Sequence, residues 1–125
     1  MIIGIGTDIV SISRIERVVE RFGERFIKRV FTDDEYCDCK DKKEQASHLA
    51  ARFAAKEAVL KALGTGISKG IGFADVEVTR EKGERPKIRL YGKARETAGS
   101  LGCKNIHLTL SHEEGFALAF AVIEG

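Results

Sequence analysis

Residues 53–67 read FAAKEAVLKALGTGI, an alanine-rich helix that runs into the glycine turn Gly64-Thr65-Gly66. The helical pattern reaches back to about residue 46, and alanines at 51, 54, 55, 58 and 62 give one face small enough for close packing. Glu57 and Lys61 stand four residues apart on this helix. At 3.6 residues per turn they project from one face, close to the glycines.

On the N-terminal side, residues 2–10 alternate apolar and small residues and read as a strand with Asp8 near its end. Ser11 or Ser13 can cap a helix expected over residues 13–30. Its apolar stripe, Ile15, Val18, Val19, Phe22 and Phe26, should face the core. Arg14, Arg17, Arg21, Arg25 and Lys28 form a basic stripe, and Glu16, Glu20 and Glu24 an acidic one. Thr32-Asp33-Asp34-Glu35 looks like an N-cap and acidic first turn of a short helix, with 38–45 as its frayed end or a mobile connection.

The period changes in the second half. Residues 76–79 and 88–91 alternate as strands around a hairpin loop at 82–86. A helix is expected over 92–101, ended by Gly102. Strands at 106–110 and 116–123 are joined by a polar turn, Ser111-His112-Glu113-Glu114-Gly115. The last strand is apolar on both faces and should lie centrally in a sheet or against another subunit. Helices first and antiparallel strands after argue for an α+β fold, in one domain spanning residues 1–125.

Composition excludes several classes. A chain 43% hydrophobic and 32% charged is an ordinary globular sequence, and a net charge of +2 points to no bulk electrostatic partner. Cys37, Cys39 and Cys103 are odd in number and lack paired zinc spacing, so reduced thiols in a cytoplasmic protein are expected. The longest apolar run, 116–123, is too short to span a bilayer. No glycine-aromatic pattern supports nucleic-acid binding.

Magnesium is usually held by one or two carboxylates plus substrate phosphates, and Asp8 with Glu57 would suit it if the fold brings them together. The alternative is a solvated aspartate and a surface Glu57–Lys61 pair worth about 0.3–0.5 kcal/mol. Lys61 and the amides around Gly64 and Gly66 could neutralise and bond a phosphate, or simply cap the helix. His112, in its turn beside Ser111, could contact an anionic ligand group or nothing. The basic stripe suits an acidic protein partner, unless Glu20 and Glu24 pair with it.

Three motifs in order carry a resemblance that covers the chain end to end. They are Gly4-Ile5-Gly6-Thr7-Asp8-Ile9-Val10, then Arg52-Phe53-Ala54-Ala55-Lys56-Glu57 through Gly64-Thr65-Gly66-Ile67, then Leu110-Ser111-His112 before an apolar strand. The chain resembles the small bacterial 4′-phosphopantetheinyl transferases, the holo-[acyl-carrier-protein] synthase family. That resemblance implies transfer of the phosphopantetheine arm of coenzyme A to a serine of apo acyl carrier protein, in support of fatty acid biosynthesis. It implies Asp8 and Glu57 as ligands of Mg²⁺, with Lys61 as the third catalytic residue. Arg52, Lys61, Gly64, Thr65, Gly66, Pro86, Ser111 and His112 would contact coenzyme A. Arg14, Arg21, Phe22 and Arg25 would dock the carrier protein. Glu57 is the first candidate base, with Asp34 or Glu35 behind it. The resemblance also implies a homotrimer with sites between subunits, and no membrane or nucleic-acid partner. The alternative function is a non-catalytic trimeric module that binds an acidic protein.

Overall fold

Two glycines set how closely strand and helix approach. The computed structural model describes residues 1–68 and 70–125. Strand β1 (Ile2–Ser11) runs along helix α4 (Gln45–Leu63), which is the expected alanine-rich helix. A Cβ placed on Gly4 would lie 2.0 Å from the carbonyl oxygen of Ala62, and one on Gly6 2.0 Å from that of Ala58. The backbones touch there, with alanine on one side and no side chain on the other.

The remaining strands follow the expected antiparallel order. β4 (Asn105–Glu113) and β5 (Phe116–Glu124) join β1 in a three-stranded sheet of order β1-β5-β4. β2 (Val76–Thr79) and β3 (Lys87–Leu90) form a separate two-stranded sheet. Helix α5 (Gly92–Ser100) connects β3 to β4. The architecture is α+β, as the change of period implied.

β5 is central, as its apolar character demanded, and its two faces have different fates. Ala117, Ala119, Ala121 and Ile123 are fully buried beneath α4. Phe116, Leu118 and Phe120 point the other way and remain exposed, beside Ile5 and Ile9 of β1. The β1–β5 part of this open side is therefore largely apolar, and β4 adds His107, Thr109, Ser111 and Glu113 to it.

Three expectations need correction. The helix over 13–30 is two helices, α1 (Ile12–Phe22), capped by Ser11, and α2 (Glu24–Val30). Gly23 breaks it at φ 54° and ψ −131°, a conformation only glycine adopts readily. The break leaves Phe22 46% exposed, outside the core stripe to which periodicity assigned it. The turn expected over 111–115 shrinks to Glu114-Gly115, whose φ values of 51° and 82° match a two-residue hairpin of the I′ kind. Ser111, His112 and Glu113 are paired strand residues. Finally, helix α3 (Asp33–Lys40) has the expected Thr32 cap, but Glu35 closes a full capping box and is 0% exposed. A carboxylate so enclosed cannot reach a substrate, which removes Glu35 as a candidate base. Among the described residues no helix is long and apolar enough to cross a membrane.

Candidate active site

Alternation along β1 puts Gly4, Gly6 and Asp8 on the face turned toward α4. Where the glycines end, the aspartate meets the helix. Lys61 Nζ donates to Asp8 Oδ1 at 3.2 Å and to the Thr7 carbonyl at 3.0 Å. Glu57, one turn earlier on α4, shares the cluster. Burial pushes its carboxyl above the usual range, the Asp8 charge pushes it further, and Lys61 and Arg14 draw it back. Two acidic groups thus crowd together beside one ammonium. The open alternative of a solvated aspartate does not hold: the Asp8 side chain is 15% exposed.

This donor set fits a hard divalent cation. Among the described residues no group of three or more histidine, cysteine or acidic side chains could hold a metal. Two carboxylates match Mg²⁺, which takes its other ligands from phosphate oxygens and water, and suit zinc poorly.

The glycine turn behaves differently from one sequence reading. Gly64 takes the left-handed conformation at φ 81° and caps α4. The amides of Gly64, Thr65 and Gly66 all turn back on the helix, onto the carbonyls of Leu60 and Lys61. They are not free to donate to a phosphate. What the turn offers is open space, since a Cβ on Gly64 or Gly66 would meet nothing within 4 Å.

A second cluster lies on the far side of α4. Arg52 and Lys61 are nine residues apart, which is two and a half turns, so the helix itself separates them. The Arg52 side chain is 9% exposed; its guanidinium stands 3.8 Å from Asp38, and its Nε has no hydrogen-bond partner among the described residues. Pro86, His48, Arg80, Leu110 and His112 line the cleft beside it, and a larger cavity of about 520 Å³ adjoins through His48, Arg52 and Arg80. Burial, then the charges of Lys42 and Arg52, hold His48 below the ordinary histidine range. A buried guanidinium with an orphaned N–H, in a cleft where Lys42, Arg80 and Lys82 stand with Asp38, Glu44 and Glu81, is a candidate seat for an anion.

His112 reaches this cleft because it pairs with Ala117 on the face that also carries Leu110. Ser111 pairs with Leu118 and points to the open apolar side of the sheet. The neighbours serve opposite faces. Arg14, Arg21 and Arg25 are exposed on α1 and α2, and the Arg21 guanidinium lies 5.2 Å from the centre of the Phe22 ring. Among the described residues none of these three forms an ion pair with an acidic side chain; of the stripe only Lys28 does, with Glu24 at 4.0 Å, so the alternative of an internally paired stripe holds at that one position.

Sequence reasoning missed Lys56. It is 0% exposed and bonded to Glu35 Oε1 at 2.6 Å. The signal was present: positions 49, 56, 59, 60 and 63 form one stripe of α4, and a lysine in an otherwise apolar stripe calls for a buried carboxylate. His48 and Arg80 also escaped notice, because only the fold sets them beside Arg52.

A strand-and-helix carboxylate pair with an anion cleft across the helix is the equipment of an enzyme that acts on a phosphorylated substrate. The chain belongs to the 4′-phosphopantetheinyl transferase superfamily, whose pattern it matches over residues 4–121. A relative from Koribacter versatilis, called holo-[acyl-carrier-protein] synthase, is 45% identical over 124 residues, covering 99% of each chain. Among solved structures, the holo-[acyl-carrier-protein] synthase of Neisseria meningitidis has a TM-score of 0.90 at 39% identity, covering all of both chains. That of Helicobacter pylori, solved with coenzyme A, has a TM-score of 0.84 at 38% identity, over 96% of this chain and 99% of its own.

Proposed function

We propose that this chain transfers the 4′-phosphopantetheine group of coenzyme A to a serine of apo acyl carrier protein, releasing adenosine 3′,5′-bisphosphate, as a cytoplasmic, Mg²⁺-dependent step that serves fatty acid biosynthesis. The whole of residues 1–125 is its transferase domain. The observation that carries the reading is the convergence of Asp8, Glu57 and Lys61 between β1 and α4.

In the reaction the serine oxygen bonds to the phosphorus that bears the pantetheine arm. The bond from that phosphorus to the bridging oxygen breaks, and the nucleotide leaves. Asp8 and Glu57 would hold Mg²⁺, which supplies charge neutralisation at the pyrophosphate. Lys61 adds a cation within reach of the same phosphates. Glu57, directly or through a water held by the cation, takes the serine proton. The open Gly64–Gly66 turn lets the ligand lie against bare backbone. Arg52 and His112, with Pro86 beside them, take the phosphorylated nucleoside end.

Opposed placement on α4 keeps Arg52 and Lys61 of one chain from serving one ligand. A head-to-tail ring of three would bring the β1 side of one copy to the β4 side of the next and complete each site. The open sheet face, with Ile5 and Ile9 each 61% exposed beside Phe116, Leu118 and Phe120, is the apolar surface such a homotrimer would cover. Ser111 lies on that face and would meet the neighbouring copy.

Intact-mass spectrometry of apo acyl carrier protein, incubated with this protein, coenzyme A and Mg²⁺, tests the reading. The expected product is heavier by one phosphopantetheine group, and EDTA prevents it. A well-folded protein that leaves the carrier unchanged would support a binding module instead.

The exposed Phe22 and its arginines are the carrier-docking face. Charge reversal at Arg21 and Arg25 should raise KM for the carrier by about tenfold or more and leave coenzyme A binding alone. Arg14 is less suited to this test, since its charge already acts on Glu57. Steady-state kinetics with each substrate varied in turn decides it; unchanged carrier kinetics would place docking elsewhere.

A further inference from the structure

Lys56 and Glu35 are both 0% exposed, and every hydrogen-bonding atom of the pair is used. The Lys56 ammonium donates to Glu35 Oε1 at 2.6 Å, to the Phe73 carbonyl at 3.2 Å and to the Val76 carbonyl. Glu35 Oε1 also accepts from Thr32 N at 2.9 Å, and Oε2 from Val78 N at 2.8 Å. Glu77, 4% exposed, extends the chain: one oxygen accepts the Thr32 hydroxyl and the other the Tyr91 hydroxyl at 2.9 Å.

Burying such a pair gains little stability over apolar residues of the same volume. What apolar contact cannot do is choose a register, because it has no direction. Here the direction is specific. Tyr91 N bonds Asp75 O, so the ladder between β2 and β3 continues through Glu77 and Arg89, and the Val76 carbonyl and Val78 amide face outward. Lys56 and Glu35 bond those two groups. They stand where a third strand would.

β2 needs that support. The β2–β3 hairpin shares no ladder with the main sheet, and a lone two-stranded hairpin is marginal in water. Yet Val78, Arg80 and Pro86, on this hairpin and its loop, form one wall of the Arg52–His112 cleft. A slip of one residue would turn that wall over.

We propose that Lys56 and Glu35 are positioning residues for the nucleotide end of the substrate: through the outer edge of β2 they hold the hairpin wall against Arg52 and His112. This rests on the reading of that cleft as the nucleotide seat. The test compares the parent protein with Lys56→Met and with Lys56→Met/Glu35→Gln, which also removes the stranded carboxylate. Binding of adenosine 3′,5′-bisphosphate is measured by calorimetry without metal, alongside transfer kinetics and amide hydrogen exchange.

In the variants, nucleotide affinity should fall at least tenfold, and KM for coenzyme A should rise with kcat little changed. Exchange should quicken at Val76–Thr79 and Lys87–Leu90 while β1 and β5 stay protected. Parental affinity in a folded variant, or exchange that quickens evenly over the whole chain, would overturn the proposal. If neither variant folds, the parent decides: amides of Val76–Thr79 as protected as those of α4 are expected, and fast exchange there refutes the strut. A parent that binds no nucleotide yet protects β2 would instead count against the cleft assignment.

Discussion

Glu57→Ala should fold normally and lose phosphopantetheine transfer by about 10³-fold or more, the scale of several kcal/mol of charge stabilisation at a reacting phosphate. Folding survives because Glu57 sits at the rim of α4 with no ion pair among the described residues, and Asp8 beside it already disfavours its charge. Removing it relieves that repulsion. Two losses then coincide: Asp8 alone must hold the cation, and the base is gone. Glu57→Gln keeps the shape and should fail equally. Turnover by mass spectrometry, with thermal unfolding as control, separates a dead site from an unfolded chain; normal turnover in either variant would remove Glu57 from the metal site. The raised carboxyl also has a pH consequence. A proton competes with the cation for Glu57, so cation affinity should begin to fall, as pH drops, at a higher pH than an ordinary glutamate would give.

Gly6→Ala should be the most damaging methyl in the protein. Its Cβ would lie 2.0 Å from the Ala58 carbonyl oxygen and 2.8 Å from the Ala62 amide nitrogen. Both are backbone atoms of a helix buried along most of its length, so no rotamer change relieves the clash. Either β1 leaves α4 or the helix shifts over the alanines of β5. Overpacking of a core commonly costs 1–3 kcal/mol, and a clash with main chain should cost at least about 3. That is a large part of the 5–15 kcal/mol stability typical of a domain. Urea unfolding measures it, and parental stability would mean that strand and helix do not approach as described. The site suffers too, because the same contact sets the distance from Asp8 to Lys61.

Much of this was legible beforehand, for physical reasons that differ by element. Residues 46–63 announce a helix through composition, and Gly64 ends it through a left-handed φ, both properties of the local chain. Asp8 and Glu57 could be paired on paper because the motifs around them resemble a known family. The errors share one origin. Gly23 falls inside the span expected as one helix, and periodicity registers side chains and not the φ, ψ that a glycine takes. The amides of Gly64–Gly66 looked available, but the carbonyl of Leu60 claims those of Thr65 and Gly66. His112 looked like a loop residue, though two residues suffice for the turn when both accept positive φ.

Local pattern alone thus establishes the α+β class, the alanine-rich helix and the alternation that aims Asp8 toward it, because these depend on period and propensity. Tertiary structure alone decides which charges are buried and which face each other. Lys56 lies inside and Lys61 at the rim, five residues later on one helix. Arg52 and Lys61 take opposite sides of it, and one face of β5 is covered while the other lies open. Those outcomes depend on what packs against each face, and contacts between residues distant in sequence leave no mark on the local period.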